Sequence, residues 1–422
     1  MNRMDEISEM DRRARAILNA NDRGGYTVPT DGLYPYQWNW DSAFAAWGFG
    51  RFEPARAWAE LETLFSGQWE NGMVPHILFH KADPGYFPGP EVWGCKGPLP
   101  SSGISQPPVA ASFARRIHEA DPALGREAMA RLWPRFMAWH RWFMAWRTDE
   151  AGAVCITHPW ESGRDNAPDW DGAMARIDPA GVGEYQRRDT AHVDPHMRPT
   201  KYDYDRYIWL VQLGRRLGWD EAAMARENPF RVADPTMTFT LLRACRDMAA
   251  LGGELGRDTG EIEEWITRLE AGAASLWNEA LGSYDSRDVH AGTWSGAVSN
   301  ASFLCWYAGL ENARMLERYD RIAAAVKYAV PSTDPKHPVF DRKRYWRGPV
   351  WAIMNALIGI GLHDMGHRRR AEALRRQTGE LIATRGFAEY FDPLDGSPAG
   401  GGAFTWTAAV WLAWASDSAE QY

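Results

Sequence analysis

Residues Trp160 to Asp171 crowd the carboxyl groups of Glu161, Asp165, Asp169 and Asp171 around two tryptophans. Gly163, Pro168 and the Asx-type residues make this stretch a loop rather than a helix. Carboxylates so close together cannot all be buried and ionised. Some must face water, some pair with Arg164, and one can be held protonated as an acid. Rings beside carboxylates suit a sugar: rings stack on the apolar faces of a pyranose, and carboxylates grip hydroxyls or move protons. The plain alternative is an acidic surface loop anchored by tryptophan.

Three further stretches carry similar chemistry. In Tyr34–Ser42, Tyr34, Tyr36, Trp38 and Trp40 alternate with polar residues ahead of a helix. Alternate side chains on an extended segment share a face, so these four can line one wall, with Asp41 at the helix start gripping hydroxyls. In Arg344–Trp351, Gly348 and Pro349 open a helix, and Tyr345, Trp346 and Arg347 point into the mouth of a pocket. Arg347 is a candidate partner for a carboxylate of the substrate or of the site. In Gly386–Pro393, Glu389 stands between Phe387 and Tyr390. Apolar packing raises a carboxyl pKa and suits it to acid–base work. For each stretch a structural role, as helix cap, surface arginine or solvated glutamate, is the competing reading.

Other motifs are weak. His192 and His196 are spaced like metal ligands, but Pro195 fits a turn, and a zinc site needs more ligands than these. The aspartates from Asp165 to Asp171 do not continue a calcium loop, since Ala167 breaks the alternation. There is no GxGxxG, no GxxxxGK[ST] and no GxSxG. No metal and no cofactor is expected.

The elements that must position these residues are mostly helical. Apolar periodicity predicts helices over about 4–20, 41–49, 53–65, 106–119, 123–147, 202–217, 236–254, 258–281, 296–309, 311–328, 347–364, 366–384 and 403–416. Pro54 stands at a helical N1 position. Strand signals are few and short, one of them at 154–156. Residues 66–104 and 172–200 form long loops, and loops of that length in a compact chain are usually functional. Short turns alternating with long aromatic loops fit packed helical hairpins. The expected fold is all-α, an (α/α)6 barrel with the aromatic loops at one mouth, as a single catalytic domain over 1–422. The two long loops are possible lid insertions. No period of about 34 residues marks a solenoid.

Composition narrows the function. The 422 residues carry a net charge of −8 with both signs interspersed, so neither nucleic acid nor an anionic membrane is an expected partner. The N-terminus lacks an apolar leader, and no uncharged apolar run reaches the roughly 18 residues of a span. Cys95, Cys155, Cys245 and Cys305 are scattered and read as buried free thiols of a reducing, cytoplasmic compartment. The 23 tryptophans are several times ordinary usage, which suits pocket walls as well as core. A homo-oligomer is compatible with all of this.

Taken together, the four aromatic–acidic stretches resemble glycoside hydrolase family 63, and within it the small bacterial enzymes that hydrolyse mannosylglycerate or glucosylglycerate. The motifs that carry the resemblance are YPYQWNWDSAF at 34–44, WESGRDNAPDWD at 160–171, YWRGPVW at 345–351, and GFAEYFDP with FTWTAA at 386–409. It runs from about residue 25 to 416. The resemblance implies an (α/α)6 barrel and inverting hydrolysis of an α-glycosidic bond. Asp165 matches the general acid and Glu389 the general base. The sugar-subsite pattern falls on Trp38, Trp40, Asp41, Gln106, Trp160, Tyr345, Trp351 and Trp406, with Gly163 beside the acid. The family loop commonly reads DNSPRWD; Ala167 and Asp169 depart from it, and Asp169 puts the leaving-group preference in doubt.

On this reading Asp165 protonates the glycosidic oxygen while Glu389 deprotonates a water on the opposite ring face. Their carboxyls should stand about 6.5–9.5 Å apart to admit that water. A glycerate leaving group needs cations or hydroxyls, for which Arg347, Lys201, Arg198, Tyr86, Tyr202 and Tyr204 are available. The partner is a small-molecule glycoside. Three alternatives stay open: an α-glucosidase acting on a neutral disaccharide or other glucoside, a sugar epimerase on the same barrel, and a non-catalytic carbohydrate-binding protein.

Overall fold

The computed structural model describes residues 3–419. The helices that carry the architecture are α1 (Arg3–Asn21), α2 (Asn39–Phe49), α3 (Pro54–Ser66), α4 (Ala110–Ala120), α5 (Pro122–Trp142), α6 (Lys201–Arg216), α7 (Pro235–Leu255), α8 (Gly260–Ser275), α9 (Ala313–Ala323), α10 (Ala352–Asp364), α11 (Arg368–Arg385) and α12 (Thr405–Val410). Six segments close a ring. α2 packs beside α4, α4 beside α7, and α7 beside a 3-10 segment, Asn300–Cys305; that segment packs beside α10, α10 beside α12, and α12 returns to α2. A second layer backs the first, with α1 on α12, α3 on α2, α5 on α4, α8 on α7 and α11 on α10. Tyr319 of α9 packs against Phe303 and Trp306, outside the 3-10 segment. This is the expected (α/α)6 toroid.

Residue choice separates the layers. The inner helix α2 is buried at every position, and α10 is buried from Ala352 to Leu362. A helix walled on both sides needs no polar face. The outer α9 buries only Met315, Tyr319 and Ile322, at spacings of four and three that place them on one stripe. Pro54 and Pro235 open α3 and α7, and Asp234 caps α7 by accepting from Met237 N at 3.2 Å.

Four expected helices are shorter than their patterns predict, and the one expected over 311–328 spans only Ala313–Ala323. The helix expected over 296–309 shrinks to Asn300–Cys305, because the backbone before it is drawn into pairing with 332–334. Asp334 N donates to Val298 O at 2.9 Å and Asn300 N to Ser332 O at 3.2 Å. The helix expected from 347 begins at Ala352, because Val350 exchanges backbone bonds with Phe391 at 2.7 and 2.9 Å. The helix expected over 258–281 stops at Ser275, and Trp277–Asn278 pairs with Ser283–Tyr284. The strand expected at 154–156 is joined by three segments that periodicity missed. Cys155–Ile156, Val232–Ala233, Arg287–Asp288 and Thr293–Trp294 form an antiparallel four-stranded sheet. Two-residue strands are too short to show a period of two.

The two long loops lie together. Gln37–Trp38 pairs with Ile77–Leu78, which ties the aromatic stretch to the first loop. Arg188 of the second loop forks onto Asp83 of the first at 2.6 and 2.8 Å. Among the described residues no helix is long and apolar enough to cross a membrane. Cys155, Cys245 and Cys305 are buried and Cys95 half-buried, all as free thiols.

Candidate active site

One cavity collects most of the residues singled out from the sequence. Tyr34, Trp38, Trp40, Asp41, Tyr86, Gln106, Trp160, Gly163, Asp165, Tyr345, Glu389 and Trp406 line it. Its wall is built by the start of α2, the start of α12, the acidic loop and the two long loops. Gln106 Oε1 accepts from Trp40 N at 3.1 Å, fixing one edge of that wall.

Asp165 is presented by an over-determined loop. Gly163 has φ +69°, and a Cβ there would stand 2.6 Å from the Trp40 ring, so only glycine fits. The Asp165 carbonyl accepts from Trp170 Nε1 at 2.8 Å and from Tyr207 Oη at 3.1 Å. Asn166 Oδ1 accepts from Trp346 N at 3.0 Å. Below the loop lies Arg164, fully buried. It donates to Asp169 at 2.9 Å, Asp234 at 3.0 Å, Thr236 at 2.8 Å and Ser299 at 3.1 Å. The departure at Asp169 therefore does not line the cavity. Its carboxylate is buried beneath the loop and also accepts from Ser286 and Ser299.

The acidic stretch thus divides its labour as charge demands. Glu161 is buried and accepts from Thr157 N at 2.6 Å and Arg147 at 3.2 Å. Asp171 is half exposed and paired with Arg347. Asp165 is left facing the cavity without an ion pair of its own. Burial pushes its carboxyl up to about 7, with the Glu389 charge adding to the rise and Arg198 opposing it. Asp41 is raised well above the carboxylate range by burial, then by Glu389 and Asp165.

Glu389 stands in a different setting from the apolar one expected. Arg198 Nη2 donates to its Oε2 at 2.8 Å, Tyr34 Oη donates to Oε1 at 3.1 Å, and Gly401 N donates to Oε2 at 2.9 Å. Gly400 has φ +73°, and a Cβ there would fall 2.2 Å from Glu389 Oε2. Arg198 is buried, donates to Tyr34 Oη at 2.9 Å and stacks 4.5 Å over the Tyr345 ring. One carboxyl of the cavity is therefore poised to hold a proton and another is supplied with a counter-charge. That is the division needed for acid and base work at neutral pH.

Six expected contact residues lie elsewhere, among them Lys201, which is exposed and paired with Asp205. Tyr36 turns away from the Tyr34–Trp38 wall; its ring meets Phe79 and Tyr86 edge-on and its hydroxyl reaches the Asp83 carbonyl. The period-two argument fails there because 37–38 is the only strand in the segment and its pairing to 77–78 sets the facing. Trp346 and Trp351 stack face to face at 3.8 Å as a second layer behind Trp40, Tyr345 and Trp406. Arg347 is spent on Asp171 at 2.5 and 2.9 Å, a carboxylate of the acidic stretch. Tyr202 is 54% exposed, beneath Arg206.

Other residues line the cavity without a sequence signal. His76 is buried with Nδ1 2.7 Å from Ser102 Oγ, and burial, then His158, lowers it well below the ordinary histidine value. Arg188 and Asp189 line the cavity from the second loop, with Phe87 and Pro88 from the first. Among the described residues no group of three or more His, Cys, Asp or Glu side chains is placed to hold a metal. The side chain of His192 lies outside the described residues.

Comparison with known proteins follows the same lines. A family model described as the mannosylglycerate hydrolase MGH1-like glycoside hydrolase domain matches residues 34–407. Mannosylglycerate hydrolase MGH2 of Selaginella moellendorffii is 45% identical over 95% of this chain and 84% of its own length. Glucosylglycerate hydrolase of Mycolicibacterium hassiacum is 34% identical over 96% of this chain and 98% of its own. The crystal structure of the mannosylglycerate hydrolase from Thermus thermophilus with Tris and D-glycerate is 43% identical. It superposes with a TM-score of 0.92 over 96% of this chain and 99% of that one.

Proposed function

The chain belongs to the mannosylglycerate hydrolase MGH1-like family of glycoside hydrolases, and from that premise we propose that it hydrolyses an α-linked glycerate glycoside, glucosylglycerate or mannosylglycerate, with inversion. The carrying observation is the pairing of unlike carboxyls in one cavity: Asp165, raised by burial to about 7, and Glu389, ion-paired to Arg198. Both relatives named for glycerate conjugates match nearly this whole chain, which supports the glycerate aglycone.

The mechanism assigns Asp165 as general acid. Its proton goes to the glycosidic oxygen as the bond to the anomeric carbon breaks. Glu389 takes a proton from a water on the far face of the ring, and the water oxygen bonds to the anomeric carbon with inversion. After release, the proton gained by Glu389 and the one lost by Asp165 are exchanged with solvent. Asp41 is held neutral by burial and donates to a sugar hydroxyl. Trp40, Trp406 and Trp160 wall the ring and exclude water. Tyr86 and Tyr204 are the groups best placed for the glycerate end. The loops 66–104 and 172–200 act as lids, and residues 1–422 as one catalytic domain. Free cysteines support a reducing, cytoplasmic compartment.

The test is hydrolysis of glucosylglycerate, mannosylglycerate, glucosylglycerol and α-linked glucose disaccharides, with the released anomer followed by NMR. Turnover of a glycerate conjugate with β-sugar as first product is expected. Turnover of neutral glucosides alone removes the glycerate assignment, and first release of α-sugar removes the acid and base assignments.

A further inference from the structure

The second long loop turns an unexpected carboxylate into the cavity. Asp189 lines it beside Arg188, Arg198, Pro199 and Tyr204. It is gripped from behind: Arg187 Nε donates to Oδ1 at 3.0 Å and Nη2 to Oδ2 at 2.6 Å. Arg187 is itself fixed, donating to the Pro199 carbonyl at 2.8 Å and stacking 4.2 Å over Tyr204. The Asp189 side chain keeps 19% of its exposure. Each carboxylate oxygen has taken one N–H and retains capacity for another. Its charge adds to the rise at Tyr34, Tyr86, Tyr204 and Asp165, in keeping with its place on the same cavity wall.

The cations at this end are already committed. Arg187 holds Asp189, Arg188 holds Asp83, and Arg198 holds Glu389. A carboxylate with its back neutralised and its face in a cavity accepts from hydroxyls and repels an anion. We infer that Asp189 is a specificity-determining residue that reads the leaving group, accepting a hydrogen bond from an aglycone hydroxyl and turning any aglycone carboxylate toward Tyr86 and Tyr204. This rests on the glycoside-hydrolase reading of the cavity. Asp189 takes no proton and forms no bond; it fixes the orientation in which the glycosidic oxygen meets Asp165. A site that hydrogen-bonds an aglycone hydroxyl discriminates against an aglycone that lacks it.

The experiment compares the full-length protein with Asp189→Asn and Asp189→Ala on two kinds of substrate: the better glycerate conjugate and the α-glycosyl fluoride of the same sugar. The fluoride carries no aglycone hydroxyl and needs no acid. The expected result is a fall of about 100-fold in kcat/KM on the conjugate for Asp189→Ala, a smaller fall for Asp189→Asn, and fluoride hydrolysis within about three-fold of wild type. Parallel losses on both substrates would mean that Asp189 only holds the loop, and would overturn the inference, as would no loss on either. A wild type active on the fluoride but inert toward every hydroxylated aglycone overturns it too. A wild type inert toward all of them overturns the hydrolase reading beneath it, and that is seen before any variant is made.

Discussion

Arg198 pairs with Glu389 at 2.8 Å and makes no ion pair with Asp165, although both carboxyls face the same cavity. The asymmetry suits the acid and base roles proposed for them. Asp165 is left to burial, which favours its protonated form. The guanidinium beside Glu389 provides the counter-charge for an anion, and the Tyr34 hydroxyl and Gly401 N–H orient its oxygens.

The first prediction is a pH profile. A general acid raised to about 7 loses its proton above that value, so kcat/KM on a glycerate conjugate should fall tenfold per pH unit on the alkaline side. Asp165→Asn should lower that activity by about 1000-fold or more while sparing the glycosyl fluoride. The shift has a stability sign as well. Between the ordinary value of 3.8 and about 7, the unfolded chain has lost this proton and the folded chain keeps it. Stability therefore falls as pH rises through that window, and Asp165→Asn should flatten the fall in urea titrations.

A second prediction concerns Arg198. Replacing it with Met leaves a buried carboxylate without its counter-charge. Activity at neutral pH should fall by about 100-fold or more. Arg198→Lys should restore part of it. Unchanged kcat/KM in the Met variant would remove Arg198 from any role beside the base.

The site was legible in the sequence where aromatic and acidic residues cluster along the chain, as at Trp38–Asp41, Trp160–Asp165 and Glu389. It was not legible where a side chain's facing is fixed from far away. Arg347 looks like a mouth residue until Asp171 takes it. Trp346 and Trp351 look like pocket walls until their stacking shows them to be a backing layer. Arg198 and Asp189 sit in a charged loop with no period at all; Arg198 reads as a contact for glycerate until the fold sets it on Glu389, and only the fold brings Asp189 to the cavity. The toroid itself was readable because its inner and outer helices are long and patterned. The inner segment Asn300–Cys305 is shorter than its pattern predicts because backbone pairing with 332–334 overrides local propensity.

A third prediction tests the contact between the two long loops. The Arg188–Asp83 pair is partly exposed, at 17% and 24% for the side chains, so salt screens it. Arg188→Ala should raise KM by several-fold with little loss of stability, as expected of an exposed pair. If the loops close over substrate through this pair, wild-type KM should rise with ionic strength and the Ala variant should lose that dependence. The charge-swapped double variant Arg188→Asp with Asp83→Arg should recover much of it. Equal salt dependence in wild type and Arg188→Ala would remove the pair from substrate capture.

The last prediction concerns Asp169. The cluster of Arg164, Asp169 and Asp234 is buried at 0–1% side-chain exposure. Removing one acid leaves a buried guanidinium with half its counter-charge, which typically costs about 3–5 kcal/mol. Asp169→Ala should therefore lower the Tm by several degrees. Asp169→Arg, which sets a second cation against Arg164, should be worse still. Neither change touches the cavity wall, so leaving-group preference, measured as the ratio of kcat/KM on glycerate and glycerol conjugates, should stay within about two-fold of wild type in Asp169→Ala below its Tm. A changed ratio with an unchanged Tm would mean that Asp169 acts on the substrate after all. That result would return the leaving-group question to this residue and away from Asp189.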